Sequence, residues 1–425
     1  MKKLIWLAAA AAVALAACSS GGSEFPEPSP FPVDVAARLH DIRAKVSEVR
    51  GLPPYEKATE GSLTQEALLD YERQQTAKLS QEEKAQMEAW TAALRLLHVI
   101  GPEDDLLKLV TEEWGGSVLG MYLPEEKWLV LVGDGKEIGM GDELVLAHEY
   151  AHSLQDGAFG FETLDKWAER KTDRSGHTQY TETIDCLTEG DAVVTERLYA
   201  EKVYGPDWES LEQEENQTDE EFPDLPVFLL RAFYFNYLEC PEFVQGLYDE
   251  GGWEVVNAAY KNPPATTEQV LHPEKYKARE IGNGQAPPDL SERLGKGWKH
   301  LDTSQFGEFD VYNYAVTMTG DPEAARIAAA GWGGGWLSVY HSKEDASQVV
   351  MQLSLSWDSN QDMEEFLVVY GAILQIRGVE LQGQEDQPEV RWQAEGEHAL
   401  LRWNDTTARV DILIATDADA LQHVS

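Results

Sequence analysis

The sequence predicts an α+β protein of two unequal domains. A mostly helical domain with one small β-hairpin is expected over residues 33–285, and a smaller α+β domain over 290–425. Three observations predict this. The chain has 425 residues, 43% apolar and 26% charged, which is ample for buried cores and argues against wholesale disorder. From residue 33 to about 260, apolar residues recur mainly at helical spacing, broken by one alternating stretch. Beyond about 290, β-rich runs alternate with helical ones.

The first segment reads as an address. Met1-Lys2-Lys3 is basic, and Leu4 to Ala17 is apolar, too short to span a bilayer and right for a signal-peptide core. Leu15-Ala16-Ala17-Cys18, followed by Ser19-Ser20-Gly21-Gly22, resembles a bacterial lipobox. Residues 1–17 are then a lipoprotein signal peptide, and Cys18 carries the lipid that holds the chain at the extracytoplasmic face of the cell envelope. Residues 18–32, rich in Ser, Gly and Pro, form a tether.

The helical domain follows. Val35, Leu39, Ile42, Val46 and Val49 mark a helix over 33–50, ended by Gly51-Leu52-Pro53-Pro54. Helices are expected at 64–79 and 81–99, the second opened by a Ser80/Glu83 capping box. Residues 117–132 read as a β-hairpin turning at Pro124-Glu125-Glu126-Lys127. A helix from Asp142 as N-cap to Gln155, with Gly157 near its C-cap, comes next. Helices near 181–202, 226–249 and 252–260 flank an acidic loop at 205–224. In the second domain a helix at 304–317 precedes Gly331 to Trp336, which reads as a tight turn packed by Trp. A strand from Val349 to Trp357, a helix at 360–377 and strands near 390–393, 398–403 and 408–415 complete it.

Charge narrows the partners. Lys and Arg total 34 against 76 Asp and Glu, a net −42, and such a surface repels nucleic acid. The 3 Cys rule out a disulfide-rich scaffold and a four-cysteine zinc site. Once Cys18 is lipidated, Cys186 and Cys240 remain. In an oxidising compartment they can pair, bracing two helices; two buried thiols are the alternative.

The chemistry sits at His148-Glu149-Tyr150-Ala151-His152, an H-E-x-x-H motif inside an expected helix. Residues i and i+4 lie on one helical face, so both imidazoles can hold one zinc ion while Glu149 acts on a water. Chance alone would produce the motif about 0.04 times in this composition. A third ligand is needed. Glu189 is the leading candidate, in a helix beside Gly190, where a second helix can approach closely; Glu182, Asp185, Asp191 and His177 remain open on spacing.

The run Leu146 to Asp156, with Glu189-Gly190-Asp191-Ala192 downstream, resembles the gluzincin class of zinc metallopeptidases, and more closely a poorly characterised set of bacterial secreted or lipoprotein H-E-x-x-H proteins. Arg50-Gly51-Leu52-Pro53, Gly120-Met121-Tyr122, Asn262 to Tyr276 and Gly331-Trp332-Gly333-Gly334 extend the resemblance over about residues 40–415. It implies a zincin-like metallopeptidase domain, Glu189 as third zinc ligand and a peptide or protein substrate. One position departs: thermolysin-like gluzincins carry an Asp four residues after the ligand Glu, and here that residue is Val193. Asp185 or Asp191 are candidates for its supporting role.

The implied mechanism uses Glu149 as general base and a further donor for the oxyanion. His272 leads for that donor, with Tyr276, Tyr122 and Tyr180 as rivals and a purely structural histidine as the alternative. The hairpin at 117–132 can offer an edge strand to an extended peptide. A second reading, a non-catalytic binding or assembly lipoprotein that retains a metallopeptidase fold, leaves the intact Glu149 without a purpose.

Overall fold

The computed structural model describes residues 25–109, 118–175, 179–215, 225–282, 284–383, 388–394 and 396–425. The signal peptide, Cys18 and the start of the tether lie outside the described residues, as does His177.

The chain runs α1 (Val33–Arg50), β1 (Thr59–Leu63), α2 (Gln65–Ala77), α3 (Gln81–Leu96), the single turn α4 (Leu106–Lys108), β2 (Gly120–Leu123), β3 (Trp128–Val132), α5 (Met140–Phe159), α6 (Phe161–Ser175), α7 (Tyr180–Tyr204), α8 (Trp208–Glu215), α9 (Val227–Gly251), α10 (Trp253–Ala259), α11 (Thr267–Leu271) and α12 (Pro273–Ala278). It continues with α13 (Ser291–Leu294), β4 (Trp298–Gln305), α14 (Glu308–Thr319), α15 (Pro322–Ala329), β5 (Trp332–Ser342), β6 (Val349–Trp357), α16 (Asn360–Ile376), β7 (Gln382–Gly383), β8 (Glu389–Ala394), β9 (Glu397–Asn404), β10 (Arg409–Ala415) and α17 (Ala418–Val424). The fold is mixed α+β. Among the described residues no helix is long and apolar enough to cross a membrane.

Local rules explain most of these elements. Ser80 and Glu83 form the capping box that opens α3, with Ser80 N 2.7 Å from the Glu83 carboxylate. The hairpin forms from β2 and β3, but a third strand joins it: β1 pairs in parallel with β3, giving the order β1-β3-β2 and leaving β2 at an edge. Helix α5 differs from expectation at both ends. Its N-cap is Gly139, whose N–H donates to the Asp142 carboxylate at 3.0 Å, so Asp142 lies three residues inside. It runs on through Gly157, which packs against Tyr55, and ends at Gly160, where φ is 72°. Part of the expected acidic loop is helical, as α8; residues 216–224 lie outside the described set. Helices α6, α15 and α17 and strand β4 were not expected.

The larger sheet has the order β4-β5-β6-β10-β9-β8-β7, every pair antiparallel. The segment Gly331 to Trp336 is not a tight turn: it enters β5, whose residues are all buried. Its glycines serve close backbone contact. A Cβ on Gly282 would lie 2.5 Å from the Gly333 carbonyl oxygen, and one on Gly334 would lie 2.5 Å from Gly284 Cα. Gly284 N–H donates to Gly333 O, and Trp336 Nε1 to Gly284 O.

The division expected near residues 283–292 falls in this loop, yet the cores do not part there. One core joins the larger sheet, α14, α15 and α16 to Trp90, Ala93 and Leu96 of α3 and to Phe228 of α9. A second joins α7, α9, α10 and α11. A third packs α1 and the small sheet on α5, and this one holds the motif helix.

Candidate metal centre

Helix α5 packs on α7, and α7 on α9. The two crossings bring the motif residues of α5 against acids of α7. His148, His152 and Glu189 form one group whose ligand atoms lie within 4.8 Å of one another. His148 Nε2 is 3.1 Å from His152 Nε2 and 3.2 Å from Glu189 Oε2, and His152 Nε2 is 3.5 Å from that same oxygen. Three ligands placed tetrahedrally at about 2.0–2.1 Å from zinc would stand about 3.3–3.4 Å apart.

Protons make the argument for a cation sharper. His148 Nδ1 lies 3.2 Å from Glu196 Oε2, a carboxylate oxygen. His152 Nδ1 lies 3.1 Å from Gln155 Oε1, and that amide is oriented by its own Nε2, which donates to Thr188 O at 3.0 Å. Both partners accept, so both rings donate through Nδ1. With neutral rings, two Nε2 lone pairs and a carboxylate oxygen then converge on one point. Three acceptors facing one another need a cation, so the donor set fits zinc and leaves a fourth position for water or substrate. Without a metal the centre would take up protons instead. Burial opposes the charged imidazolium of His148, but the hydrogen bonds it donates to Glu189 and Glu196 outweigh it and raise its pKa well above the ordinary value. His152 shifts the same way, and Glu189 is held down by the two histidines against the pull of burial.

Glu149 lies beside these ligands, buried, on the face toward β2. A Cβ on Gly120 of β2 would be 3.3 Å from Glu149 Cγ and 2.5 Å from Val145 Cγ1, so glycine lets the edge strand come this close. Burial raises the Glu149 pKa; the two histidines partly oppose this, while Glu189 and Glu196 add to it.

The expected helpers divide. The residue supporting His148 is Glu196, two turns along α7 from Glu189, and not Asp191. Asp191 is fully buried and holds Arg50, which donates to its two oxygens at 2.6 and 2.7 Å, and it accepts from Tyr260. Glu182 lies buried beside Gln179 and Asp310. His272 Nε2 is 2.9 Å from Glu308 Oε1, and among the described residues no hydrogen bond or ion pair joins His272 to the centre. Its position between α11 and α12 explains this: it ties their junction to the start of α14. Tyr122 donates to Asp156 and Tyr276 to Asn262 O, while Tyr180 packs on Trp167.

The residue missed is Tyr237 of α9. Its ring centroid is 6.1 Å from that of His148, and its hydroxyl lies near the Glu189 carboxylate. Burial, then the charges of Glu189 and Glu149, raise its pKa well above the ordinary value, so it stays a protonated donor. A disulfide between Cys186 and Cys240 fixes this meeting: Cys186 precedes Glu189 by three residues, and Cys240 follows Tyr237 by three. Gly190 permits the crossing, since a Cβ there would lie 2.5 Å from Cys240 O.

The family described as a domain of unknown function (DUF8575) matches residues 292–425, and the metal centre lies outside that match. No curated protein and no solved structure matches the chain.

Proposed function

We propose that this chain is a zinc-dependent peptidase of the gluzincin type, held to the extracytoplasmic face of a bacterial envelope by lipid on Cys18. The observation that carries the proposal is the convergence of three acceptors, His148 Nε2, His152 Nε2 and Glu189 Oε2, with Glu149 beside them. When bound, zinc would supply a Lewis acid able to polarise a carbonyl and a water. The chain's residues do the rest. Glu149 accepts a proton from the attacking water and returns it to the leaving amine. The Tyr237 hydroxyl, in place of His272, donates to the oxygen on which charge collects. Glu196 and Gln155 hold the two rings in the tautomer that presents Nε2. β2, an edge strand among the described residues, is available to pair with an extended peptide beside Glu149.

The test joins metal content to turnover. The full chain in detergent should carry one zinc, lost in His152→Ala, and should cleave members of a diverse peptide library. Glu149→Gln should keep the zinc and lose about 10²–10⁴ in rate. Zinc-loaded protein that cleaves nothing would favour the binding-lipoprotein reading, and stoichiometric zinc in a His148→Ala/His152→Ala variant would remove the ligand assignment. For location, Cys18→Ala should abolish acyl labelling.

A further inference from the structure

The larger sheet has two unlike faces. One is covered by α3, α14, α15 and α16. On the other, residues 282–284 lie against β5, and Leu290, Leu294, Leu421 and Val424 of the α13 and α17 segments pack on Leu400 and Leu413. Beside that cover a cavity of about 180 Å³ opens. This is room for a small organic molecule, roughly six waters' worth. Leu400 and Leu413, register partners on β9 and β10, line it with Leu290 and Val424.

Three arginines, Arg293, Arg402 and Arg409, also line this cavity, in a chain of net charge −42. Their present bonds use few of their donors. Arg402 gives Nε to Glu389 at 2.6 Å, Arg293 gives Nη2 to Ser425 O, and Arg409 gives Nε and Nη2 to Asp411. A guanidinium has five N–H donors, so among the described residues each keeps a surplus. The two lining acids have partners: Asp289 accepts twice from Ser291, and Asp411 accepts from Arg409 and Ser354. Gln352, 7% exposed, also lines the cavity.

We propose that this cavity binds a small apolar carboxylate, from a free apolar amino acid or from the C-terminal residue of a peptide. The carboxylate takes the surplus donors of Arg402 and Arg409, which suit it in charge and fork geometry. The aliphatic body lies on Leu400, Leu413 and Leu290. The site lies mostly within the matched segment 292–425 and stands independently of the metal centre.

Calorimetric titration of the full chain with four probes tests this: leucine, N-acetyl-leucine and the amide of each. The acids should bind saturably, and their amides at least about tenfold more weakly, since a charged hydrogen bond is worth about 1.5–3 kcal/mol. Leucine binding more tightly than N-acetyl-leucine would identify the free amino acid as the source; the reverse order would identify a peptide C-terminus. Arg402→Gln/Arg409→Gln should weaken the acids at least about tenfold with the fold intact, because both side chains are partly exposed. Equal binding of acids and amides, binding indifferent to the arginine pair, or no saturation by any probe would overturn the proposal.

Discussion

At the scale of single residues, the centre depends on which nitrogen of each histidine carries its proton. Glu196 sets that for His148 through a 3.2 Å contact to Nδ1. Glu196→Gln, with its amide free to turn a donor toward the ring, should lower zinc affinity about 10–100-fold, read by competition with a chelating dye. An unchanged affinity would mean that the contact does not hold the ring. Tyr237→Phe should keep the zinc and cost about 10²–10³ in kcat, with a smaller change in KM. Sequence carries the histidines and Glu149 because H-E-x-x-H is local: one helix places all three residues. It does not carry Glu196 or Tyr237. Helix α7 bears Glu182, Asp185, Glu189, Asp191, Glu196 and Glu201, and only its crossing with α5 sorts them. A signal was nevertheless present. If Cys186 and Cys240 pair, the residues three beyond one and three before the other, Glu189 and Tyr237, are brought to face each other.

At the scale of elements, the crossing of α7 and α9 is the joint on which the centre hangs. It has a disulfide, a glycine and a buried aromatic core including Phe235 and Phe243. The bridge closes a loop with sequence separation 54, so Cys186→Ala/Cys240→Ala should lower unfolding free energy by about 2–5 kcal/mol, measured in denaturant. A loss below about 1 kcal/mol would show that the core alone fixes the joint. The same variant should bind zinc more weakly, because Glu189 loses its brace. Long amphipathic helices such as α1 and α16 were legible, since one apolar face repeats over several turns. Strand β1 was not: Thr-Glu-Gly-Ser-Leu has no alternation, and its place comes from pairing with β3 and a bridge from Ser29 to Ser62. The glycines of β5 read as a turn because glycine usually punctuates; here they let residues 282–284 lie directly on the strand.

At the scale of the whole molecule, two buried acids lie where the halves meet. Helix α14 begins at Gly307, whose N–H donates to Asp310 at 2.6 Å, and a Cβ on Gly307 would strike Gln179 and Thr267. Asp310 faces Glu182 of α7 across this junction, and both are buried. Burial raises the Asp310 pKa to about 7, against the opposing Gly307 N–H, and raises that of Glu182 well above its ordinary value, with Asp310 adding to the effect. The sign follows from proton counting. Between about pH 4, where these acids ionise in an unfolded chain, and pH 7, the folded protein holds more protons, so stability falls as pH rises. The contribution is fully present below pH 4 and is lost as pH passes through 7. Many other carboxylates in a chain of net charge −42 also repel more strongly as pH rises, so the slope of the wild type alone assigns nothing. Asp310→Asn separates the effects: its amide oxygen still accepts from Gly307 N–H, but the group cannot ionise. Wild type and variant should have similar stability near pH 4, and the variant should gain as pH rises, by about 4 kcal/mol at most above pH 7. Denaturant midpoints taken from pH 4 to pH 8 check this, and parallel curves would mean that Asp310 is already ionised at the junction.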